Sequence, residues 1–391
     1  MQPGNFTEDK WGALARIPAG SSGYWAFEPH PLPPDLELAW ELVNKLSEAD
    51  RALSELAGRA RNLPNPHLLI GHFIRREAVL SSRIEGTQAS LSDLLFFEAA
   101  GPIPTDRPAS ADVREVANYV RALEQGLKRL QELPLSLRLL REMHAELMEG
   151  VRGEHLTPGE FRRSQNWIGP PGCTLLGATY VPPPPEEMMA ALGELEKYLH
   201  AQSVLPPLVR LALVHYQFEA IHPFLGGNGR IGRLLIVLLL CHEGLLAQPL
   251  LYLSAYFEQH RQEYYRLLLE VSQKGRWLSW IEFFLAGVAE QARDALWRTE
   301  ALLRLWQEYH QRLSTARSSA LLLRLVDELF EYPVLTVPRV AGRLGITQRA
   351  ASLNIQKLVG AGLLEEVTGR ARYRYFAAQA IIELTEMQRV E

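Results

Sequence analysis

The sequence is poor in cysteine and in long apolar runs. Its 391 residues include two cysteines, Cys173 and Cys241. They stand in different sequence contexts, so the pattern indicates reduced thiols rather than a disulfide framework. The longest apolar run, Leu234–Cys241, is far shorter than the roughly 20 residues that cross a bilayer. The first residues lack the features of a signal peptide. These absences predict a cytoplasmic protein with no membrane partner.

The chain also lacks an excess of charge of either sign. It has 41 basic and 45 acidic side chains and a formal net charge of −4. This balance excludes a chain-wide attraction to nucleic acid or to an anionic membrane. The apolar content of 47% is ordinary for a globular protein, and the length predicts two or three domains.

What the sequence does have is a succession of helical patterns, separated by glycine and proline. An irregular N-terminal arm is expected up to Pro34. After it, the apolar spacing predicts helices over Leu36–Leu63, Leu68–Glu85, Ser90–Glu98, Asp112–Leu130, Leu135–Met148, Glu186–Ala201, Pro207–Ala220, Ile231–Glu243, Ala255–Gln273 and Leu278–Tyr309. Residues 151–181 are instead rich in Gly, Pro, Thr and Trp, and a short hairpin is expected there. The predicted fold class is therefore mostly all-α.

Residues 222–233, His-Pro-Phe-Leu-Gly-Gly-Asn-Gly-Arg-Ile-Gly-Arg, combine several groups that suit phosphate chemistry. A loop rich in glycine leads into an apolar helix, whose free N–H groups and dipole form an anion site. Arg230 and Arg233 are three residues apart, so both guanidinium groups can reach one polyphosphate. His222, at the edge, can take a proton from a hydroxyl.

This stretch resembles the signature of the Fic (Fido) family, His-x-Phe-x-(Asp/Glu)-Gly-Asn-Gly-Arg-x-x-Arg. The resemblance implies that His222 is the general base and that Phe224 anchors the loop in the core. It further implies that ATP is the substrate, that the glycine turn holds the α-phosphate, and that the two arginines hold the β- and γ-phosphates. The residues that it assigns to nucleotide binding are Gly227, Asn228, Gly229, Arg230, Ile231, Gly232 and Arg233.

Gly226 is the one departure from the family signature. The family has an acid at this position that ligates Mg²⁺, and glycine has no side chain to do so. Mg²⁺ can still accompany ATP, but no residue of this chain is assigned as its ligand.

Three further segments resemble the family's flap, which aligns an extended target strand beside the nucleotide. They are residues 158–162, 165–169 and 180–184. Tyr265, in a later helical stretch, is a further candidate for nucleotide contact, although an aromatic residue at helical spacing is more often part of the core.

Residues 81–86, Ser-Ser-Arg-Ile-Glu-Gly, match the family's inhibitory pattern, (Ser/Thr)-x-x-x-Glu-(Gly/Asn). A glutamate at a helix end can pair with an arginine of a polyphosphate site. The resemblance gives Arg233 as the partner of Glu85, with Ser81 and Gly86 completing the motif. Such a pair would compete with the γ-phosphate of ATP.

Residues 318–391 are typical of a winged helix. Helices are expected over Ser319–Phe330, Val337–Leu344 and Gln348–Val359, followed by strands at Leu363–Val367 and Tyr373–Phe376. Seven basic and two acidic side chains lie between residues 336 and 376. The candidate DNA contacts are Arg349, Lys357, Arg370 and Arg372. Winged helices also bind proteins, so DNA binding and protein docking both stay open.

The sequence thus predicts four segments: an N-terminal helical region with the inhibitory motif (1–110), a Fic core (111–290), a helical linker (291–317) and a winged-helix domain (318–391). The leading hypothesis is a protein adenylyltransferase that transfers AMP from ATP to a Ser, Thr or Tyr hydroxyl of a target protein, which can be the chain itself. Removal of AMP, transfer of another phosphate-containing group, and a nucleotide-sensing or DNA-binding regulator of weak turnover are the alternatives. Whether the chain forms a homodimer is left open.

Overall fold

The computed structural model describes residues 1–7, 11–18, 23–37, 39–61, 67–100, 110–314, 320–370 and 372–387. Fifteen α-helices make up most of this part of the chain. They are α1 (Trp40–Arg61), α2 (His67–Ile84), α3 (Leu91–Ala100), α4 (Ala111–Arg129), α5 (Leu137–Leu147), α6 (Pro185–His200), α7 (Pro207–Ile221), α8 (Asn228–His242), α9 (Ser254–Gln259), α10 (Arg261–Lys274), α11 (Trp277–Leu313), α12 (Ala320–Glu331), α13 (Val337–Leu344), α14 (Gln348–Gly360) and α15 (Gln379–Glu386). The mostly helical fold class predicted from the sequence is confirmed.

The helices begin where the sequence offers a cap. The hydroxyls of Ser110 and Ser136 accept from the backbone of the first turns of α4 and α5. Thr347 caps α14 in the same way, as predicted. These bonds satisfy N–H groups that a helix start leaves open. Pro185 begins α6, where a missing N–H has no cost.

The expectation of an irregular N-terminal arm is wrong. Strands β1 (Gly12–Ile17) and β2 (Tyr24–Pro29) form an antiparallel pair. Each strand contains a short run of apolar or aromatic residues, Ala-Leu-Ala in β1 and Tyr-Trp-Ala-Phe in β2, and such runs favour strands over an irregular arm. The Phe27 N–H of β2 donates to the Val181 carbonyl, so the pair supports the segment that carries the flap.

One predicted helix is interrupted. His260 has φ −107° and ψ 34°, outside the helical range, and it separates α9 from α10. The apolar spacing continues through the break, which is why the sequence predicted one helix over Ala255–Gln273.

The predicted flap pairing is reduced to a single antiparallel bridge, Ile168 with Tyr180. In the described part of residues 151–184, no regular strand forms. The Tyr180 hydroxyl donates to the Ala220 carbonyl at 2.8 Å, so the bridge is fixed to the end of α7.

The winged helix contains a three-stranded antiparallel sheet of order β3 (Val334–Thr336), β5 (Tyr375–Ala377) and β4 (Glu365–Glu366). It packs directly against the N-terminal helices. Phe96 of α3 meets Tyr375 with ring centroids 5.8 Å apart, and Thr385 of α15 contacts His72 of α2 at 3.3 Å. The buried apolar residues of this segment belong to the same core cluster as the rest of the chain.

Helices α7 and α8 form the centre of the core and carry the candidate site between them. Of the fifteen residues of α8, twelve are buried. No helix in the described ranges has the length and apolar character needed to cross a bilayer.

Candidate functional site

The signature stretch forms the turn between α7 and α8. His222 ends α7 in the left-handed conformation, with φ 50°. Gly227 precedes α8 with φ 76°, a conformation that glycine adopts without a steric penalty. The turn therefore directs the first N–H groups of a buried helix toward one point, as an anion site requires.

Asn228 and Phe224 close this turn. The Phe224 N–H donates to Oδ1 of Asn228 at 2.8 Å, and Nδ2 of Asn228 donates to the Phe224 carbonyl at 2.8 Å. Phe224 is fully buried and stacks on the His144 ring at 3.8 Å. Phe224 is thus in the core, where it was expected. The Asn228 amide makes both of these bonds within the loop, so its position near a phosphate depends on the loop backbone.

His222 is held through its carbonyl group. Nε of Arg162 donates to this oxygen at 3.0 Å and Nδ2 of Asn166 at 3.2 Å. Burial lowers the pKa of Arg162 to about 10, so this side chain stays charged at neutral pH. The two donors fix the backbone of the left-handed residue.

The imidazole of His222 has a defined orientation. Nδ1 lies 3.3 Å from the Glu219 carbonyl, which accepts only from a protonated nitrogen. Nε2 is then the unprotonated nitrogen. Burial lowers the pKa of His222 to about 4. At neutral pH the ring is therefore uncharged and can accept a proton at Nε2.

His144 is a second neutral histidine in the site. The Gly159 N–H donates to its Nδ1 at 2.9 Å, so the ring proton is on Nε2, which donates to the Gly226 carbonyl at 3.0 Å. Burial lowers the pKa of His144 to about 4. Through its bond to the Gly226 carbonyl, this ring fixes the middle of the loop.

Arg233 extends from α8 toward α2 and is almost completely buried. Its Nε donates to the Ser81 hydroxyl at 2.8 Å and its Nη2 to the Ser81 carbonyl at 3.0 Å. Nη2 also donates to Oε1 of Glu85 at 2.7 Å. The partnership that the resemblance implied between Ser81, Glu85 and Arg233 is thus present as contacts.

Glu85 lies at the start of α8. A Cβ atom at position 229 would collide with Oε1 of Glu85, so the carboxylate touches the backbone of the first turn. Burial by itself raises the pKa of Glu85. The charge and the hydrogen bond of Arg233 lower this pKa by a larger amount, so the net shift is downward. An ionised carboxylate therefore occupies the anion site at this helix end.

Gly86 and Tyr265 lie beside Glu85. Gly86 has φ 95° and turns the chain away after Glu85. The Tyr265 hydroxyl donates to the Ile84 carbonyl at 3.4 Å, and its side chain is partly exposed. In this arrangement Tyr265 contacts the end of α2, at the rim of the site.

Arg230 extends from α8 in another direction, toward α4. Its Nη1 lies 3.5 Å from Oε2 of Glu115, which is buried. Among the described residues, Nε of Arg230 and Nη1 of Arg233 are buried without a hydrogen-bond partner. Each arginine therefore has one buried N–H without a protein partner in the described part of the chain, although each already contacts a carboxylate.

Ile231 and Gly232 lie behind this surface. Ile231 is fully buried, and a Cβ atom at position 232 would collide with the Glu219 carboxylate. These two residues pack α8 against its neighbours, and only their backbone can take part in the nucleotide binding predicted for them.

Gly226 determines how a metal ion fits this site. A Cβ atom there would meet Leu156 at 3.3 Å and Met148 at 3.8 Å, which are apolar atoms. Within the described ranges, no three His, Cys, Asp or Glu residues are grouped to hold a metal. Two carboxylates that contact the signature arginines, Glu85 and Glu115, form ion pairs with them. This donor set does not fit a Mg²⁺ site built from protein ligands.

The four candidate DNA contacts are all exposed. Arg349 and Lys357 lie on α14, and Arg370 and Arg372 lie on the segment between β4 and β5. Two other bases of the basic segment have internal partners. Arg343 pairs with Glu328 and Glu331, and Arg339 covers the Tyr332 ring at 4.2 Å. The surface available to phosphates is therefore smaller than the sequence count indicates.

Sequence reasoning missed His144, Glu115 and Glu219, and it assigned Arg162 and Asn166 only to the flap. Their positions depend on contacts between distant segments, such as His144 with Gly226. The only local signal was a histidine or glutamate on the apolar face of a helix, and such residues are more often structural.

Comparison with known proteins gives three matches to protein families. Residues 43–128 match the N-terminal region of the Fic/DOC family and residues 134–240 match the Fic/DOC family itself. Residues 322–377 match a family described as an HTH DNA binding domain.

The chain is also similar to proteins named protein adenylyltransferase Fic. Those from Drosophila erecta and Drosophila virilis are 30% and 31% identical to it over 176 residues, which is 44% of this chain and 32% of each relative. The match thus spans about a third of the length of these relatives.

Two solved structures have a related fold. A Fic family protein from Desulfovibrio desulfuricans G20 has a TM-score of 0.56 at 20% identity, with 89% of this chain and 98% of that chain covered. Fic-1 from C. elegans has a TM-score of 0.52 at 20% identity, with 68% and 74% covered.

Proposed function

The chain belongs to the Fic family and carries a C-terminal helix-turn-helix domain, and from this premise we propose that it is a protein adenylyltransferase inhibited by its own Glu85. It transfers AMP from ATP to a Ser, Thr or Tyr hydroxyl of a target protein. The Fic region of relatives named protein adenylyltransferases, at about 30% identity, supports this reaction class.

One observation carries the inhibited state: the ionised Glu85 carboxylate lies between Arg233 and the start of α8. A carboxylate there uses the guanidinium and the helix end that an incoming phosphate needs. With Glu85 in place, the terminal phosphate of ATP is kept from Arg233.

The chemistry follows from the loop geometry. The target hydroxyl oxygen attacks the α-phosphorus, and its proton passes to Nε2 of His222. The bond between the α-phosphorus and the bridging oxygen of the β-phosphate breaks, and pyrophosphate leaves. His222 is uncharged at neutral pH because of its low pKa, so it enters the reaction as a proton acceptor. Arg230, Arg233 and the α8 N–H groups stabilise the phosphate charge.

Intact mass measurement after incubation with ATP, with and without Mg²⁺, tests the proposal on the full chain and on its Glu85→Gly variant. The variant is expected to gain one AMP on itself or on an added target, and the unaltered chain to gain much less. Glu85→Gln keeps the side-chain shape without the charge and should lie between the two.

His222→Ala in the Glu85→Gly background is the matched control. It is expected to keep its affinity for ATP and to lose transfer, because the base contacts the hydroxyl and not the phosphates. Equal labelling of the unaltered chain and Glu85→Gly would contradict the inhibitory role. Loss of AMP from pre-labelled chain would favour the reverse reaction.

We further propose that the winged helix binds DNA. The match to an HTH DNA binding domain and the exposed bases of α14 support this. A mobility-shift titration with the full chain at two salt concentrations tests it, because phosphate contacts weaken steeply as salt rises. Arg349→Glu combined with Lys357→Glu should abolish the shift, whereas Arg324→Glu on α12 should not. Retained shifts in the double variant would exclude α14 as the DNA contact.

A further inference from the structure

Glu115 joins a third arginine to the candidate site. Nε of Arg152 lies 3.3 Å from Oε1 of Glu115, and its Nη2 donates to Oε2 at 3.4 Å, the oxygen that also faces Nη1 of Arg230 at 3.5 Å. The two guanidinium groups thus share one carboxylate. Glu115 is 2% exposed and Arg152 is 65% exposed. Arg152 therefore stands on the solvent side of a buried carboxylate that holds a signature arginine.

The loop that carries Arg152 lies over the position of the missing acid. Gly153 and Gly226 are both in contact range of the same two side chains, Met148 and Leu156. The sulfur of Met148 is also 3.5 Å from Nη2 of Arg230. The loop of residues 148–156 thus covers Gly226 and reaches Arg230.

We propose that Arg152 is a third phosphate-binding arginine and supplies the positive charge that a metal ion would otherwise bring to this site. The inference rests on the proposed function, because it names how the same nucleotide is held. The polyphosphate of ATP requires compensating charge near its bridging oxygens. This chain has no carboxylate at Gly226 to bring Mg²⁺ there, and it has a guanidinium on the loop above.

Arg152 can change partners without leaving Glu115 isolated. Glu115 keeps Arg230, and it also accepts from the Thr87 hydroxyl at 3.4 Å. The contacts between Arg152 and Glu115 are long, at 3.3 and 3.4 Å, and the guanidinium is exposed to solvent, so a stronger acceptor can reach it. A phosphate, with more charge than a carboxylate and several acceptor oxygens, competes well for a guanidinium.

The alternative role for Arg152 is structural. In that case it only orients Glu115, which in turn positions Arg230. The two roles predict opposite effects for Glu115. If Arg152 binds phosphate, Glu115 competes with ATP, and its neutralisation frees two arginines. If Arg152 only supports Glu115, neutralising Glu115 damages the site.

The experiment is a calorimetric titration of ATP into full-length Glu85→Gly protein, in EDTA and in Mg²⁺. Affinity in EDTA is expected to be within a factor of about two of that in Mg²⁺, since the arginines supply the charge. Adding Arg152→Ala should weaken binding in EDTA by about tenfold, as for loss of a charge-assisted contact to phosphate. Arg152→Lys should recover part of the loss.

Glu115→Gln in the same background should tighten ATP binding in EDTA severalfold. Arg163→Ala is the matched control, because Arg163 is a more exposed arginine paired with Glu160, and it should bind like the parent. Thermal unfolding of each variant identifies those that lose the fold.

The outcomes separate this inference from the proposed function. No ATP binding by Glu85→Gly in either condition would contradict the proposed function itself. Binding that depends on Mg²⁺, an Arg152→Ala variant equal to Arg163→Ala, or a Glu115→Gln variant that is weakened as much as Arg152→Ala would overturn the role of Arg152 and leave the proposed function standing.

Discussion

Glu219 is the carboxyl group of the site that has no assigned task. It lies against the Gly232 backbone on α8, and its Oε1 is buried without a hydrogen-bond partner among the described residues. Burial raises its pKa to about 8, although Arg233 opposes this shift and Glu85 adds to it. Below that pH the group is protonated and adds no charge beside Arg233.

Glu219→Gln is expected to remove one contribution that lowers stability as pH rises. Between the ordinary carboxyl range near pH 4.5 and pH 8, the folded chain holds a proton on Glu219 that the unfolded chain releases. The contribution of Glu219 to stability therefore falls as pH rises through this window and is level above it. The amide removes this loss, so the melting temperature of the variant should exceed that of the parent at pH 8 and match it near pH 4.5. The same difference at both pH values would contradict a raised pKa.

At the scale of single residues, the sequence predicted those that belong to short motifs. His222, Arg230 and Arg233 share one helix-loop segment, and Glu85 belongs to a six-residue pattern, so local spacing was sufficient. The pairing of Glu85 with Arg233 needed the resemblance, since 148 residues separate them. Glu115, Arg152 and Glu219 belong to no pattern, because their surroundings are set by the packing of α4, α7 and α8.

Among the elements, α2 contacts both functional regions. Its C-terminal part carries Ser81 and leads to Glu85. Its N-terminal part carries His72, which contacts Thr385, and Arg75, which pairs with Glu98 at 2.7 Å. Arg339 of the winged helix donates to the Glu98 carbonyl and covers Tyr332, which Arg75 also approaches. The winged helix thus supports the helix that leads to Glu85.

Arg339→Ala is expected to loosen this support. Loss of its ring contact and hydrogen bond should cost about 1–2 kcal/mol of stability. If α2 transmits the change, Glu85 leaves Arg233 more often, and ATP should bind about two- to fivefold more tightly, within the usual range of coupling energies. Calorimetry with ATP measures this.

Arg349→Ala, an exposed arginine on α14, serves as the control and should leave ATP affinity unchanged. A lower melting temperature for Arg339→Ala with unaltered ATP affinity would mean that the winged helix stabilises α2 without affecting Glu85.

The elements were predictable where their ends carry caps, as at Ser110, Ser136 and Pro185. The strands β1 and β2 were missed because their apolar runs are short and lie among prolines and glycines. The break at His260 was missed because the helical spacing of apolar residues continues across it. Tertiary packing decides such cases, and local patterns do not contain it.

At the scale of the whole molecule, burial holds four of the described histidines uncharged. Burial lowers the pKa of His72 and His215 to about 3 and of His144 and His222 to about 4. In the unfolded chain all four return to the ordinary value of 6.5. Unfolding between pH 6.5 and 4 therefore takes up protons on each of them.

The chain is expected to lose stability as pH falls through that window, by uptake of up to four histidine protons. Glu77 and Glu219, whose pKa values are raised by burial, reduce the slope, because the folded state keeps their protons. Urea unfolding at pH 7, 6, 5 and 4.5 measures how the free energy of unfolding depends on pH. His72→Gln, far from the loop, should lessen the slope by about one proton. A stability that is constant from pH 7 to 4.5 would contradict the burial of these rings in neutral form.

Because α2 contacts a different functional region near each of its ends, coupling through it is reciprocal between the two regions. At 1.5 Å per residue, its eighteen residues span about 27 Å, and the helix is continuous between the two regions that it contacts. Linkage requires that coupling through such an element act equally in both directions. If a ligand on the winged helix eases the departure of Glu85 by some factor, ATP in the loop strengthens that ligand's binding by the same factor. The affinity of the winged helix for its ligand would then depend on the ATP concentration, even in a chain that transfers no AMP.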